Sequence, residues 1–328
     1  MKVWYDACTG KHTRYGAAIG KRLRRAGHEF IFTTREHPDT TPLAKALVEK
    51  PLVVGKYNPS TLTSRLQESA ERVIAFSQLF KDNKPNVAVA HQSVELCRVA
   101  FGLGIPIILT ADTPHAHSVN RLTIPFAHTV VVSEALPRSF ANRYCAQNVV
   151  PFKGVDEVAW IKDYQPPKKT KQKKPLIVLR QMETKAAYAK DKHDTSKNLA
   201  EQLAELGKVN LLERYNDEGA TYGGKSVFED SLALVANADL VVSYGGTISR
   251  EAALMGVPSI AISDMASTPV NKYLEKKGFP LFITNEESVM AMAKKQLSKS
   301  FDVTAKLAAL ENPVDVIVKI VENLKHSG

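Results

Sequence analysis

Short, wholly apolar segments alternate with amphipathic ones along this 328-residue chain. No other feature of the sequence limits the possible folds as much. Residues 1–5, 28–33, 87–90, 105–109 and 129–132 read as strands, and residues 15–26, 61–80 and 94–101 as helices between them. Gly27 is placed to close the first helix as its C′ residue, and Leu62, Leu66, Val73, Phe76 and Phe80 follow a helical period in the long one. The second half repeats the rhythm, with strands at 176–179, 209–212, 240–243 and 259–262 and helices at 195–206, 231–236 and 249–255. Strands apolar at every position are buried on both faces, as in a parallel sheet covered by helices. The expected fold class is α/β, with two Rossmann-like domains at 1–162 and 176–328 whose parallel sheets face a central cleft. A Lys- and Pro-rich stretch at 163–175 reads as a solvated linker. The last helix is expected to pack back on the N-terminal domain.

Charge narrows the class of partner. Lys and Arg number 44 against 34 Asp and Glu, a net charge of +10. The excess lies in residues 1–162 and in the linker, while residues 176–328 are slightly acidic. A basic domain beside an acidic one points to an anionic partner on one side. Hydrophobic residues at 44% and charged residues at 24% exclude a disordered tail, a collagen-like fibre and a disulfide-stapled mini-domain. Cys8, Cys97 and Cys145 form no CxxC pair, which argues against a cysteine zinc site and fits a reducing compartment. Asp6 interrupts the N-terminus before a signal-like apolar run develops, and the longest apolar runs are strand-length. A cytoplasmic protein is expected, one that can still associate with a membrane surface. No nucleic-acid partner is expected, since no RRM or KH signature is present.

Ligands of parallel α/β sheets bind at the carboxyl ends of strands, so the strand-to-helix loops are where chemistry is expected. The first is Asp6-Ala-Cys-Thr-Gly-Lys-His-Thr-Arg-Tyr-Gly16. Its small residues let backbone approach a ligand, and His12 can donate, accept or take a proton near neutral pH. A surface histidine on a connecting loop fits as well. Neither a P-loop nor a GxGxxG fingerprint is present. In the second loop, Gly245-Gly246 makes a tight turn after Ser243, and Thr247 and Ser249 stand at the start of a helix. Exposed amides and hydroxyls there suit a phosphate or diphosphate, and Glu251 suits a ribose diol. Ordinary capping explains each residue singly but not the double glycine, the hydroxyls and the acid together.

The pattern Gly-x5-Glu-x4-Gly-x-Pro, from Gly245 through Glu251 and Gly256 to Pro258, resembles the nucleotide-sugar loop of GT-B glycosyltransferases. By spacing it is most similar to the MurG-type, lipid-linked N-acetylglucosaminyltransferases. Thr9-Gly10-Lys11-His12, with Gly16 and Gly27 following, resembles their glycine-rich Thr-Gly-Gly-His loop. The resemblance implies that His12 is the base at the reaction centre and Glu251 the ribose ligand. Lys11 replaces a glycine of that loop, and Thr13-Arg14-Tyr15 a small apolar segment, so a different acceptor side follows. Over most of its length the chain also resembles an uncharacterised, mainly archaeal GT-B-like family, through residues 97–106, 116–123 and 157–163.

The GT-B resemblance further implies that Arg180 and Lys185, after the first strand of the second half, face the donor diphosphate. Asp112, His115 and His117 follow another strand end, where their spacing is poor for a metal and suits acceptor binding or a structural turn. His91 also follows a strand. Lys11, Arg14, His91, Asp112 and His115 are therefore the candidate acceptor residues. Lys21, Arg22, Arg24 and Arg25 on the first helix read as a solvated face or, more sharply, as an anionic acceptor or membrane surface. The leading expectation is a metal-independent glycosyltransferase without a cofactor. It would pass sugar from a UDP-linked donor, UDP-N-acetylglucosamine among the candidates, to an anionic or lipid-linked acceptor. A UDP-N-acetylglucosamine 2-epimerase is the second expectation, though its Gly-Gly-x-Gln-Glu-Glu-like run has one residue fewer and one acid more than this chain. A non-enzymatic nucleotide- or anion-binding scaffold is the third.

Overall fold

The computed structural model describes residues 1–328 except 38–39, 48–49, 170–171, 183–193, 214–230, 263–266, 298 and 327–328. Elements of the first half, in chain order, are β1 (Lys2–Ala7), α1 (Gly10–Arg25), β2 (Glu29–Glu36), α2 (Thr40–Ala46), β3 (Leu52–Lys56), α3 (Leu62–Leu79), β4 (Val87–His91), α4 (Val94–Gly102), β5 (Ile107–Thr110), α5 (His117–Thr123), β6 (Thr129–Ser133), α6 (Ser139–Asn142), β7 (Val149–Phe152) and α7 (Val158–Ile161). The second half continues with β8 (Leu176–Arg180), α8 (Ser196–Leu203), β9 (Lys208–Leu212), α9 (Ser231–Asn237), β10 (Leu240–Ser243), α10 (Gly246–Leu254), β11 (Ser259–Ile262), α11 (Pro269–Lys276), β12 (Leu281–Thr284), α12 (Val289–Gln296), α13 (Thr304–Ala309) and α14 (Pro313–His326).

Two compact units result, Met1–Trp160 with Glu311–Gly328, and Ile161–Leu310. Unit 1 contains a parallel sheet in the order β3-β2-β1-β4-β5-β6-β7, and unit 2 one in the order β12-β11-β10-β8-β9. Both are Rossmann-like, and each reverses its strand order once, between β1 and β4 and between β8 and β10. At such a switch point the flanking loops diverge and leave a crevice at the strand ends. Every residue of β4, β5, β6 and β10 is buried, as strands covered on both faces require.

The second unit begins at Ile161, ahead of residues 163–175, and α14 belongs to unit 1. Its apolar Val314, Ile317 and Val321 are buried, and Asp315 on its exposed side pairs with Arg22 of α1. The described residues of 163–175 are mostly exposed and form no helix or strand, and contacts of Lys169 and Pro175 link the stretch to the rest of unit 2. Lys169 pairs with Asp239 at 2.8 Å, and the carbonyl of Pro175 accepts from the amide of Lys208. The apolar period of α3 is buried only in part. Phe76 and Phe80 are buried, but Leu62 and Leu66 are 81% and 71% exposed. The helix has 18 residues, about 27 Å, whereas the edge strand β3 beside it has only five, so the first turns of α3 overhang the sheet.

Helix α1 lies close on the sheet because Gly16 faces the rings of Tyr5 and Phe32. A Cβ at Gly16 would fall within 2.8 Å of Phe32 and still nearer Tyr5, both buried. Gly16→Ala is therefore expected to lower unfolding free energy by about 1–3 kcal/mol, read as a shift of the urea midpoint. An unchanged midpoint would mean that the two rings give way.

Candidate functional site

In unit 1 the switch point is built from the ends of β1, β4, β5 and β7. The first loop is shorter than its sequence implies. Thr9 is the N-cap of α1, its hydroxyl accepting from the His12 amide at 3.3 Å, so Lys11 and His12 stand in the first helical turn rather than on a loop. After β4 the backbone turns through the left-handed region at Gln92 (φ 56), an uncommon conformation for a side chain with a Cβ. The Gln92 amide is held there by Asn120. The turn leaves His91 on one side of the switch point, with its ring 5.0 Å from that of His12 and nearly perpendicular to it.

Lys11 is the hub. Its ammonium lies 2.5 Å from Asp112, 2.9 Å from Asp156 and 3.7 Å from Glu157. His91 Nε2 lies 3.5 Å from Asp112, and its Nδ1 bonds the Thr110 hydroxyl at 2.7 Å. Tyr15, one turn along α1 and fully buried, packs its ring 5.7 Å from His91, and among the described residues its hydroxyl has no hydrogen-bond partner. Burial, and then the negative charge of Asp156, hold that phenol well above its ordinary value, so it remains protonated. His91, Asp112 and Asp156 place one ligand atom each within 4.8 Å of one another, as a cation site would. The Lys11 ammonium already serves two of those carboxylates.

His12 is half-buried, and its Nδ1 accepts the Cys8 amide proton at 3.3 Å. That bond assigns the tautomer: the neutral ring carries its proton on Nε2, and Nδ1 is the nitrogen with a lone pair to use. Burial first, then His91, Lys11 and Arg35, push the His12 pKa well below 6.5, while Asp112 opposes them. The ring is therefore neutral at physiological pH. Cys8 is inert as a nucleophile. Burial and the adjacent Asp6 raise its thiol to about 12, and the protonated sulfur donates to Asp6.

Of the other candidates in unit 1, Arg14 is buried within α1 and His115 is exposed on its loop. His117 bonds the Tyr144 hydroxyl at 2.6 Å. Lys21, Arg24 and Arg25 are exposed, Arg24 standing over the Phe30 ring, whereas Arg22 is taken up by Asp315. The sequence reading missed Asp156, Glu157, Tyr15 and Arg35. The first two follow β7, whose Pro151 and polar flanks conceal a strand, and Arg35 lies two residues beyond the predicted end of β2.

In unit 2 the switch point lies between the ends of β8 and β10. Helix α10 starts at Gly246, three residues before the start read from the sequence, with Gly245 as an extended N-cap (φ −167) and no side chain capping it. Ser243 and Ser249 are buried and bonded to each other at 2.7 Å, and Ser243 also donates to the Gly245 carbonyl at 2.6 Å. These hydroxyls brace the turn from behind rather than project from it. The Arg250 guanidinium carbon would lie 3.0 Å from a Cβ at Gly246, so that glycine makes room for it. A Cβ at Gly245 would meet nothing within 4 Å. Thr247 is half-exposed in the first turn and Glu251 is buried one turn on. Arg180 turns toward the end of β9, where its guanidinium donates to the carbonyls of Leu212 and Glu213 at 3.4 Å. Lys185 lies outside the described residues.

Known proteins share this architecture. An uncharacterised protein of Methanocaldococcus jannaschii, MJ0665, is 29% identical, with 98% of each chain covered. A putative UDP-N-acetylglucosamine 2-epimerase from Listeria monocytogenes superposes with a TM-score of 0.67 at 14% identity, covering 100% of this chain and 97% of its own. A Streptomyces glycosyltransferase, SsfS6, in complex with thymidine diphosphate gives a TM-score of 0.61 at 18% identity, covering 98% and 99%. The fold is thus that of GT-B glycosyltransferases and of the epimerase. By sequence, over residues 1–326, the chain belongs to the family described as "Protein of unknown function (DUF354)".

Proposed function

We propose that the chain binds a nucleotide sugar, UDP-linked in the first instance with UDP-N-acetylglucosamine among the candidates, and passes the sugar to an anionic or lipid-linked acceptor. The observation that carries this reading is the first turn of α10. It is a side-chain-free N-cap at the end of a buried strand, at a switch point, with open space beside Gly245. Helix amides left without a cap favour an anion, and diphosphate oxygens fit them. Glu251 would take the ribose, Thr247 a phosphate oxygen, and Arg180 the charge of the leaving group. In unit 1 the neutral His12 is the proton acceptor. The acceptor hydroxyl displaces the Cys8 amide from Nδ1 and gives its proton to that nitrogen. Its oxygen bonds the anomeric carbon, and the anomeric carbon–oxygen bond breaks with its electron pair leaving on the nucleoside diphosphate. This chemistry needs neither metal nor cofactor.

One observation favours epimerisation as the second reading. Asp112, Asp156 and Glu157 gather on Lys11 at the strand ends of unit 1, the first two also facing His91, and proton exchange on a sugar carbon calls for such acid and base groups. Solvent deuterium appearing at the sugar C2 with no acceptor present would support it over transfer.

Calorimetric titration with UDP, TDP, GDP and their sugars tests the common core of both readings, and Gly245→Asp locates the site. Position 245 is extended and open, so an aspartate fits, caps α10 and adds about a few tenths of a kcal/mol of stability. Its carboxylate takes the place of the incoming anion and is expected to weaken nucleotide binding at least about tenfold, or about 1.4 kcal/mol. No binding of any of these nucleotides, or equal affinity in Gly245→Asp, would overturn the proposal.

A further inference from the structure

Arg35 stands at the end of β2, and its charge is set apart from the other buried cations nearby. Lys11 and Arg72 each hold more than one carboxylate. Among the described residues, no carboxylate lies within ion-pair distance of Arg35. Its Nη2 donates to the Cys8 carbonyl at 2.9 Å, just ahead of the N-cap of α1. Its guanidinium lies over the Tyr57 ring at 4.2 Å, and that ring in turn packs on His37 at 5.1 Å. The Arg35 Nε is buried and has no hydrogen-bond partner among the described residues. A guanidinium stacked on an aromatic ring and pinned to one carbonyl is already ordered, so little freedom is left to lose on binding. A donor fork without a carboxylate is a recognition element for an oxyanion. Two features fix where this one acts. Arg35 and His12 hold the two ends of one residue, Arg35 on the Cys8 carbonyl and His12 Nδ1 on the Cys8 amide, and the first turn of α1 contains no acidic side chain to compete.

We propose that Arg35, seated on Tyr57, binds a phosphoryl oxyanion carried by the acceptor and so places the acceptor hydroxyl at His12. The subsite deepens the transfer reading and rests on it for the word acceptor, while the binding itself can be measured without any donor. The phosphoryl group can belong to a soluble phosphate ester or to a lipid headgroup.

Inorganic phosphate titrated into the full chain, followed through the His12 ring proton resonances (assigned with His12→Gln), is expected to shift them saturably. Arg35→Gln should weaken that binding at least tenfold, and Arg35→Lys, which keeps the charge and loses the fork and the stack, should fall between. UDP affinity measured by calorimetry should be unchanged in Arg35→Gln. Retention on phosphatidylcholine vesicles containing phosphatidic acid but not on pure phosphatidylcholine, lost in Arg35→Gln, would support the subsite with a lipid phosphate as its source. Phosphate binding without such retention would support it with a soluble ester. Equal phosphate affinity in the parent chain and in a folded Arg35→Gln would overturn the proposal, as would acetate binding as tightly as phosphate. Phosphate binding at Arg35 in a chain that binds no nucleotide would uphold the subsite while the transfer reading fell.

Discussion

His12→Ala is expected to lower turnover by about 10²–10⁴-fold, the contribution of a positioned general base, while leaving nucleotide affinity where it was. The separation follows from the fold. His12 is set by the Thr9 cap and the Cys8 amide in unit 1, whereas the proposed donor turn is braced by Ser243 and Ser249 in unit 2. The truncation itself should cost little stability, because the ring is only half-buried and its bond to the Cys8 amide, at 3.3 Å, is long. The measurement is initial-rate kinetics with the nucleotide sugar identified by titration, beside calorimetric nucleotide affinity for the same variant. Turnover unchanged in His12→Ala would remove the base from the mechanism even if nucleotide binding survived.

The same residue makes a pH prediction whose sign is opposite to that of a histidine held by a carboxylate. Burial and the positive charges of its neighbours lower the His12 pKa, so the ring stays deprotonated below pH 6.5. The acid limb of kcat/KM should therefore lie below 6.5 rather than near it, and should vanish in His12→Ala. Stability is linked in the same direction. Between the lowered folded value and 6.5 the unfolded chain binds the proton that the folded chain refuses, so His12 makes stability rise with pH across that window.

How much of this was legible in the sequence depends on how each residue is held. Apolar, doubly covered strands such as β4, β6 and β10 announce themselves by composition, and with them come the strand-end positions of His91 and Gly245. Helix starts are harder to read. Residues 10–14 have no apolar period, and their helical conformation comes from the Thr9 cap and from Gly16 seated against Tyr5 and Phe32. Edge strands are harder again. In β3 the side chains of Leu52 and Val53 are half-exposed and Gly55 is left-handed (φ 70), so neither burial nor alternation marks it, and β7 contains a proline. Losing β7 hid Asp156 and Glu157, two of the three carboxylates gathered on Lys11. The partners of a buried charge lie far along the chain, 101 positions for Lys11 and Asp112, and no local pattern encodes such a pairing.

Arg72 is the extreme case, and its replacement by methionine is expected to cost about 3–5 kcal/mol of unfolding free energy. Its side chain is 1% exposed, yet it crosses from α3 to the floor of the site. There its guanidinium meets Asp6 at 2.7 Å and Glu95 at 3.3 Å, while its Nε donates to the Val54 carbonyl at 2.8 Å. Gly55 lets it through, since a Cβ there would lie 3.1 Å from Arg72 Cδ and still closer to Cγ. Asp6 is wholly buried and accepts from the hydroxyls of Thr33 at 2.8 Å and Ser93 at 2.6 Å. Those two neutral donors remain in Arg72→Met, but they do not replace a charge. The loss is dominated by a carboxylate left in the interior without its cation, not by the attraction forgone. That distinction can be tested. If the uncompensated charge is the cost, adding Asp6→Asn to Arg72→Met should recover part of the stability: the amide removes the stranded carboxylate, keeps an acceptor oxygen for one of the two hydroxyls, which bond Oδ1 and Oδ2 separately, and presents an NH2 donor to the other. Urea midpoints of the parent, the two single variants and the double variant close the cycle. Additive losses would mean that Asp6 and Arg72 act independently, and the charge argument would fail.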